Sequence, residues 1–179
     1  LQGPVVGTQM SNLGLEQALD GCRIPFMRAR VGDRYVLEML QANGGLLGGE
    51  SSGHIVCLDR TTTGDGFVSA LQVLEAAVRG NRPLGELAAG MSRLPQHMVN
   101  VPIARDSRPM EDTRVSQAVA ALERHLGDAG RVLLRPSGTE PVLRVMVEGE
   151  DADRVQRLAG ELAEQVAAFC GQRAPALDN

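Results

Sequence analysis

The feature of this sequence that most restricts its fold is a pair of apolar, β-branched runs, residues 132–134 and 142–147, separated by a short loop. The loop holds two Pro, one Gly, one Ser and one Thr. Apolar runs on both sides of such turn-forming residues are typical of two antiparallel strands. The sequence therefore predicts a β-hairpin with an elaborate connection.

Two arginines bracket this loop, Arg135 before it and Arg144 after it. Antiparallel pairing would bring both guanidinium groups toward the same end of the hairpin. Between them, Ser137, Gly138 and Thr139 offer two hydroxyls and a run of backbone N–H groups, with the glycine free to adopt a positive φ. Such a patch of donors between two guanidinium forks suits the oxygens of a phosphate. The alternative interpretation is a turn with solvated arginines.

The hairpin is followed by an amphipathic segment that predicts a long helix. Its apolar residues share one face: Val155, Leu158, Ala159, Leu162, Val166, Phe169 and Cys170. A face of this width needs a sheet to cover it. The hairpin, an edge strand at residues 96–103 and a helix at residues 112–126 are predicted to supply that surface.

The first half of the chain begins with strand, helix and strand signals. Residues 3–10 and 24–31 are predicted strands on either side of a helix, which favours a parallel pair with a right-handed crossover. A second helix opens at residues 32–36. Asp33 is there either the N-cap or a ligand-binding residue, and the sequence leaves both interpretations open.

A glycine-rich segment separates two short strand signals, residues 46–47 and 55–58. Its glycines let a ligand approach the backbone closely. Glu50, Ser52 and His54 alternate in this segment, so an extended chain would project all three to one side. A carboxylate, a hydroxyl and an imidazole could then bind the hydroxyls of a sugar. The alternative is a glycine-rich turn with ordinary polar residues.

Residues 67–79 are predicted to form a helix capped by Asp65, since a lone carboxylate before a helix is more often a cap than a metal ligand. The helix carries one apolar stripe, typical of a helix that packs on a core: Phe67, Ala70, Leu71, Leu74, Ala77 and Val78.

We therefore expect an α/β fold with two small domains joined by a hinge near residues 94–96. The first, residues 1–93, would be a βαβ-type layered domain with a mixed sheet. The second, residues 96–174, would be a sheet packed by two helices, with the arginine-flanked loop exposed.

Composition narrows the class of partner. The net charge of −4 and the pI near 5.4 argue against nucleic acid. The cysteines form no metal-binding pattern, and no apolar run is long enough to cross a bilayer. We expect a soluble, cytoplasmic protein without a membrane partner. The absence of an initiator Met suggests a fragment.

Two stretches resemble the α-D-phosphohexomutase family: Glu50-Ser51-Ser52-Gly53-His54 and Arg135-Pro136-Ser137-Gly138-Thr139-Glu140-Pro141. Residues 31–36 and 62–66 are also similar, so the resemblance spans nearly the whole chain. It implies the third and fourth of four domains around a central cleft. The sequence of these motifs is most similar to that of bacterial members that interconvert glucosamine 6-phosphate and glucosamine 1-phosphate.

The resemblance also implies roles for individual residues. In the first domain it implies a set of sugar-binding residues: Glu50, Ser52, His54 and Asp33. His54 is also a candidate assistant in catalysis. Many relatives have His at the position of Asp33. In the second domain it implies a set that holds the phosphate that is not transferred: Arg135, Ser137, Gly138, Thr139 and Arg144.

Two family motifs have no counterpart in this sequence: the phosphoserine loop and the Asp-x-Asp-x-Asp-Arg metal loop. The resemblance then implies a longer parent, with the nucleophilic Ser and the Mg²⁺ ligands upstream and glucosamine 1,6-bisphosphate as intermediate and activator. We expect this chain to bind a phosphorylated amino sugar and the missing N-terminal domains, but to hold no catalytic nucleophile and no metal ligand.

Several alternatives remain open from the sequence. The chain could belong to a phosphoglucomutase or phosphomannomutase of the same family. It could be a stand-alone phosphosugar- or anion-binding module. It could also be an interaction or regulatory α/β domain whose glycine loops are only turns. The sequence does not indicate an oligomeric state.

Overall fold

The computed structural model describes residues 2–104 and 107–171. The chain divides into two compact units, residues 1–93 and 94–179, and each has its own sheet and its own hydrophobic core. Within the described ranges, no helix combines the length and the apolar character that a bilayer crossing requires. The predicted α/β class is confirmed.

The first unit is built on a mixed, four-stranded sheet. Its strands are β1 (Val5–Thr8), β2 (Phe26–Ala29), β3 (Leu47–Gly49) and β4 (Ile55–Cys57). They lie in the order β2-β1-β3-β4, with β1 parallel to both β2 and β3 and with β4 antiparallel to β3. The predicted parallel pair at the start of the chain is confirmed.

Four helices accompany this sheet: α1 (Leu13–Gly21), α2 (Asp33–Asn43), α3 (Gly66–Gly80) and α4 (Leu84–Ala88). Asn12 caps α1 by accepting the Gly14 N–H group. The core forms where α2 packs on the sheet, and its buried residues are Val6, Ala29, Val36, Leu40 and Val56. This packing determines where the first residues of α2 lie, and one of them, Asp33, belongs to the candidate site.

Helix α3 begins as predicted but does not bury its apolar stripe. The Asp65 carboxylate accepts the N–H groups of Phe67 and Val68. None of the residues of α3 is buried. The most exposed members of the stripe are Phe67 (88%), Val78 (80%), Leu71 (62%) and Leu74 (52%). The prediction that this stripe packs on a core is wrong for these residues, because the side of the helix that lies against β4 is the one carrying Ser69, whose Oγ donates to the Ile55 carbonyl.

The second unit is an antiparallel sheet covered by two helices, as predicted. Its strands are β5 (Gln96–Pro102), β6 (Gly130–Pro136) and β7 (Val142–Gly149), in the order β5-β7-β6. The helices are α5 (Thr113–Leu126) and α6 (Ala152–Phe169). β5 is an edge strand, which explains how Pro102 is tolerated. Of the predicted second domain, residues 105–106 and 172–174 lie outside the described residues.

Helix α6 buries the face that the sequence predicts. It packs on β5 and β7, with α5 beside it. Its buried residues are Val155, Leu158, Ala159, Gly160, Leu162, Ala163, Val166 and Ala167. Alternate residues of the strands, such as Val145 and Val147, join this core. The residues between them, including Arg144, therefore lie on the face of the sheet opposite the helices.

A polar rung crosses all three strands of this sheet. Gln96 of β5, Glu148 of β7 and Arg131 of β6 lie directly opposite one another. Glu148 is fully buried and accepts hydrogen bonds from Gln96 Nε2 at 3.0 Å and from Arg131 Nε at 2.6 Å. The buried Glu148 carboxylate can accept both hydrogen bonds in only one register of the three strands. The rung therefore specifies how the strands pair.

Candidate functional site

Three side chains of the first unit converge where α2 begins and the β3–β4 hairpin turns. Asp33 is the first residue of α2, Glu50 directly follows β3, and His54 directly precedes β4. One oxygen or nitrogen atom from each lies within 4.8 Å of those of the other two. The hairpin makes Glu50 and His54 neighbours, and the packing of α2 on β3 brings Asp33 to them.

The segment between β3 and β4 is a tight turn. The Glu50 N–H donates to the His54 carbonyl at 2.9 Å, and the Gly53 N–H donates to the Glu50 carbonyl at 3.1 Å. Gly53 has a φ of 97°, which L side chains rarely adopt. Of the two interpretations left open by the sequence, the structure has the glycine-rich turn and not the extended segment with Glu50, Ser52 and His54 on one side. Ser52 instead meets His54 through the turn, with Oγ 3.3 Å from Nδ1.

Asp33 is not the N-cap of α2, which corrects one of the two interpretations above. The cap position belongs to Gly32, whose φ is 129°, because the helix begins one residue earlier than expected. Glu50 Oε1 accepts the Gly32 N–H at 2.7 Å. The Asp33 Oδ1 atom lies 3.6 Å from His54 Nδ1 and is buried, with no hydrogen-bond partner in the part of the chain that the structure describes.

This arrangement can accept hydrogen bonds from a ligand. A carboxylate is an acceptor only, so the group that satisfies Asp33 Oδ1 must donate a proton, as a hydroxyl or an ammonium does. Gly64, from the loop before α3, lies beside both Asp33 and His54, and a Cβ there would be 3.7 Å from an atom of each. The Asp33 and Glu50 carboxylates with His54 thus form a small acidic site for a polar, donor-rich ligand, which we call the sugar loop site.

The same three side chains do not fit Mg²⁺ well. Mg²⁺ prefers an octahedron of oxygen ligands and is bound mainly by carboxylates and water. Here one of the three donors is an imidazole, and Glu50 Oε1 already accepts the Gly32 N–H. Among the residues that the structure describes, this is the one group of three or more such side chains. No step that depends on Mg²⁺ is therefore assigned to this chain.

The second candidate site lies at the loop between β6 and β7. Arg135 and Arg144 are directly opposite each other in the strand register. Side chains in such positions have their Cβ atoms about 4.5–5.5 Å apart, and like charges there destabilise the pair. The Nε atoms of both arginines are buried and have no hydrogen-bond partner within the described residues. The two arginines thus occupy directly opposed positions on one face of the sheet, at the end of the hairpin.

Only one acidic side chain of the loop approaches this pair. Glu140 Oε2 lies 3.8 Å from Arg144 Nη2, and the Glu140 side chain is 63% exposed. Such a long, exposed ion pair contributes little. Among the residues that the structure describes, one weak partner for two guanidinium groups leaves net positive charge at the end of the hairpin.

The loop backbone adds donors that are only loosely engaged. Ser137 Oγ accepts the N–H groups of Thr139 and Glu140 at 3.4 and 3.3 Å, near the upper limit for a hydrogen bond. Gly138 does not have the positive φ that the sequence suggested. A Cβ on Gly138 would meet nothing within 4 Å, so the space above it is open. We call Arg135, Arg144 and residues 137–139 the phosphate loop site.

Each predicted set of residues therefore lies within one unit. The sugar loop site gathers Asp33, Glu50 and His54, with the exposed Ser52 at its edge. Sequence reasoning missed two backbone contributors, the Gly32 N–H and Gly64. Only the family resemblance of residues 31–36 and 62–66 pointed to these segments, because a glycine carries no side-chain signal of its own.

Comparison with known proteins gives two family matches that follow one another along the chain. Residues 1–94 match the family model of the phosphoglucomutase/phosphomannomutase alpha/beta/alpha domain III. Residues 98–165 match the model of the phosphoglucomutase/phosphomannomutase C-terminal domain.

Curated relatives are similar over nearly the whole of this chain. The phosphoglucosamine mutase of Alkalilimnicola ehrlichii is 63% identical over 93% of the chain, and that of Halorhodospira halophila is also 63% identical over 93%. The phosphoglucosamine mutase of Edwardsiella ictaluri is 55% identical over 94%. The chain spans only 36–38% of the length of these three relatives.

Solved structures share the fold at low sequence identity. The N-acetylphosphoglucosamine mutase of Aspergillus fumigatus, in complex with GlcNAc-6P and magnesium, has a TM-score of 0.74 at 19% identity. That match covers 91% of this chain and 41% of the other. A phosphoglucomutase/phosphomannomutase family protein from Burkholderia thailandensis has a TM-score of 0.72 at 18% identity, over 97% of this chain and 39% of the other.

Proposed function

The chain belongs to the phosphoglucomutase/phosphomannomutase family, and from that premise we propose that it is the sugar- and phosphate-binding part of a phosphoglucosamine mutase. The whole enzyme would interconvert glucosamine 6-phosphate and glucosamine 1-phosphate in the cytoplasm. It would act through a phosphoserine and a bisphosphate intermediate, glucosamine 1,6-bisphosphate. The relatives at 55–63% identity support the amino sugar over other hexoses.

The observation that carries this proposal is the opposed pair Arg135 and Arg144. Two arginines in directly opposed positions, whose buried Nε atoms have no hydrogen-bond partner among the described residues, favour an anion as ligand. A phosphate dianion supplies several acceptor oxygens to two forks, and such charge-assisted bonds are the strong ones. In this proposal the pair, with Ser137, Gly138 and Thr139, holds the phosphate that is not transferred.

The sugar loop site would orient the hexose. Glu50 is fixed by the Gly32 N–H, so its second carboxylate oxygen can accept a hydrogen bond from a sugar hydroxyl. Asp33 Oδ1 would accept a further hydroxyl or the C2 ammonium group. His54, held between Ser52 and Asp33, would lie beside the ligand. None of these side chains is assigned the transfer of the phosphoryl group.

The nucleophile and the metal belong to the part of the enzyme outside this chain. Mg²⁺ would supply charge neutralisation for phosphoryl transfer there. This chain alone should therefore show no turnover of glucosamine 1-phosphate, even with Mg²⁺ and the bisphosphate activator. The missing N-terminal domains of the mutase would be its partner.

The test is an NMR titration of the chain with three ligands in parallel. Inorganic phosphate should shift backbone signals at residues 136–140 and leave residues 50–54 unchanged. Glucosamine without phosphate should shift residues 50–54 only, and glucosamine 6-phosphate should shift one or both segments. Binding is expected to be weak, since each unit binds its own part of the ligand. Shifts scattered over other surfaces would contradict the proposal.

A further inference from the structure

The face of the second sheet that lies opposite the helices is organised in rungs that cross all three strands. The polar rung of Gln96, Glu148 and Arg131 is at the end far from the β6–β7 loop. The middle rung is apolar and consists of Met98, Met146 and Leu133. The rung beside the loop, which we call the arginine rung, consists of Asn100, Arg144 and Arg135. Asn100 is therefore aligned with the two arginines of the phosphate loop site.

Asn100 projects from the same face of the sheet as these arginines. Its neighbours in β5, Val99 and Val101, belong to the hydrophobic core beneath the helices. Since successive side chains of a strand point to opposite faces, Asn100 points away from the helices, as Arg144 does. The Cβ atoms of residues directly opposite each other on antiparallel strands are about 4.5–5.5 Å apart. The Asn100 carboxamide is therefore within reach of a ligand that contacts Arg144.

The two rungs that contain arginine treat its charge differently. Arg131 has the Glu148 carboxylate directly opposite, and its Nε atom donates to Glu148 at 2.6 Å. Arg144 lies between Arg135 and the neutral Asn100, so the arginine rung itself contains no carboxylate. A carboxylate in place of Asn100 would neutralise Arg144 and compete with an anionic ligand. An amide offers two N–H donors without that competition.

The donors of the arginine rung have room for an acceptor. Asn100 is exposed, and its side chain makes no hydrogen bond among the residues that the structure describes. In the same part of the chain, the buried Nε atoms of Arg135 and Arg144 have no partner. Because Nε is the guanidinium nitrogen closest to the strand, an acceptor for these atoms lies over the sheet as well as beside the loop. Such an acceptor is close to the Asn100 amide.

We propose that Asn100 is a phosphate-binding residue, which donates from Nδ2 to a phosphate oxygen that Arg144 also holds. This inference rests on the proposed function, because its ligand is the phosphate of that proposal. It extends the phosphate loop site from the β6–β7 loop onto the third strand, β5. The phosphate then lies across the end of the sheet, with two charged donors and one neutral donor beneath it.

Two substitutions of Asn100 test the proposal in solution. Asn100→Ala removes the donor and should weaken the binding of inorganic phosphate about three- to tenfold, with the melting temperature nearly unchanged. Asn100→Asp keeps the shape but places a carboxylate beside Arg144, and it should weaken phosphate binding by about tenfold or more. The same carboxylate relieves the repulsion between Arg135 and Arg144, so the melting temperature should rise by about 1–4 °C.

Gln165→Glu is the matched control, since it makes the same change from amide to carboxylate. Gln165 is exposed on α6, which packs on the other face of the sheet. The phosphate affinity of this variant should stay within about twofold of the parent chain, because exposed charges at this separation are screened. If Asn100→Asp binds phosphate as Gln165→Glu does, Asn100 is not beside the anion and the inference is wrong. It is also wrong if both Asn100 variants lower the melting temperature and weaken binding equally, since Asn100 would then only support the strand.

The side-chain amide protons of Asn100 give a direct measurement by NMR. They should shift during titration with inorganic phosphate, with the same dissociation constant as the backbone signals of residues 136–140. Unchanged Asn100 amide signals in a titration that shifts residues 136–140 would overturn the inference and leave the proposed function standing. If Asn100 responds to phosphate while glucosamine shifts no residue from 50 to 54, the inference stands and the sugar-binding part of the proposed function fails. A parent chain that binds no phosphate contradicts both.

Discussion

The two candidate loops are both connections between antiparallel strands, yet they balance their charges in opposite ways. In the sugar loop site, two of the three ionisable side chains have hydrogen-bond partners in their own unit: Glu50 accepts the Gly32 N–H, and His54 Nδ1 lies 3.3 Å from Ser52 Oγ. In the phosphate loop site, Arg135 and Arg144 oppose each other, and among the described residues the one acidic partner is Glu140, which lies 3.8 Å from Arg144.

This difference predicts that substitution of a side chain has different effects in the two loops. The sugar loop site is part of the local structure, because Glu50 ties the hairpin to the start of α2. The phosphate loop site is held by strand pairing, and its arginines add mutual repulsion and, among the described residues, only the long ion pair of Arg144 with Glu140. We therefore expect substitutions in the first loop to affect stability, and substitutions in the second to affect anion binding.

The largest expected effect is on anion binding. Replacing Arg135 or Arg144 by Ala should weaken phosphate binding about tenfold or more, because a charge-assisted hydrogen bond is worth about 1.5–3 kcal/mol. The double variant should show no binding by NMR titration. Arg157→Ala is the control, since Arg157 pairs with Glu161 on α6 and its loss changes the net charge equally. Equal affinities in all variants would make this loop an ordinary turn.

The next effect is on stability. Glu50→Ala removes the acceptor of the Gly32 N–H and should lower the free energy of unfolding by about 1–2 kcal/mol in urea titrations. Glu50→Gln should lose less, because the amide oxygen still accepts. Both should bind inorganic phosphate like the parent chain. If Glu50→Ala weakened phosphate binding as much as Arg135→Ala does, the separation of the two loops would fail.

The glycines of the two loops offer a finer contrast. Gly53→Ala should cost about 1 kcal/mol of stability, because the φ of 97° is strained for any L side chain. Gly138→Ala should leave stability unchanged or slightly higher, since no positive φ is needed and the space is open. If that space receives a phosphate, Gly138→Ala should still weaken anion binding. Thermal unfolding with and without phosphate measures both quantities.

The smallest effect expected is a pH dependence of binding at the phosphate loop. The second pKa of a phosphate monoester is about 6, and arginine stays charged throughout. Lowering the pH from 7.5 to 5 should convert glucosamine 6-phosphate to its monoanion and weaken binding a few-fold. Sulfate stays a dianion in this range and serves as the control ligand. A parallel loss of sulfate binding would point to a change in the protein instead.

Sequence patterns predicted what depends on neighbours along the chain. The opposition of Arg135 and Arg144 follows from a hairpin with alternating strands, and the buried face of α6 follows from helical spacing. The sequence left open whether residues 50–54 are extended or a turn, and it placed the start of α2 one residue too late, because both features depend on positive φ angles at Gly53 and Gly32. Spacing does not reveal such angles.

The orientation of α3 shows a different limit. Periodicity correctly grouped Phe67, Leu71, Leu74 and Val78 on one face, but it could not say which neighbour that face meets. The neighbour is a tertiary property, and here the polar side meets β4. The domain boundaries near residues 94–96 and the roles of the site residues stay predictions. Separate expression of each half, followed by circular dichroism, tests the boundary.

The rung of Gln96, Glu148 and Arg131 has a consequence for anyone who would transplant the phosphate loop into another protein. Arg131 and Arg135 are four positions apart on β6, a separation of about 13 Å at 3.3 Å per residue. A graft of residues 135–144 alone would lack the hydrogen bonds of Gln96, Glu148 and Arg131, which specify the strand register. A shift of the strand register by one residue would place Arg135 on the face of the sheet that the helices cover. The portable unit is therefore the whole hairpin from residue 130 to 149, together with a neighbouring strand that brings its own Gln.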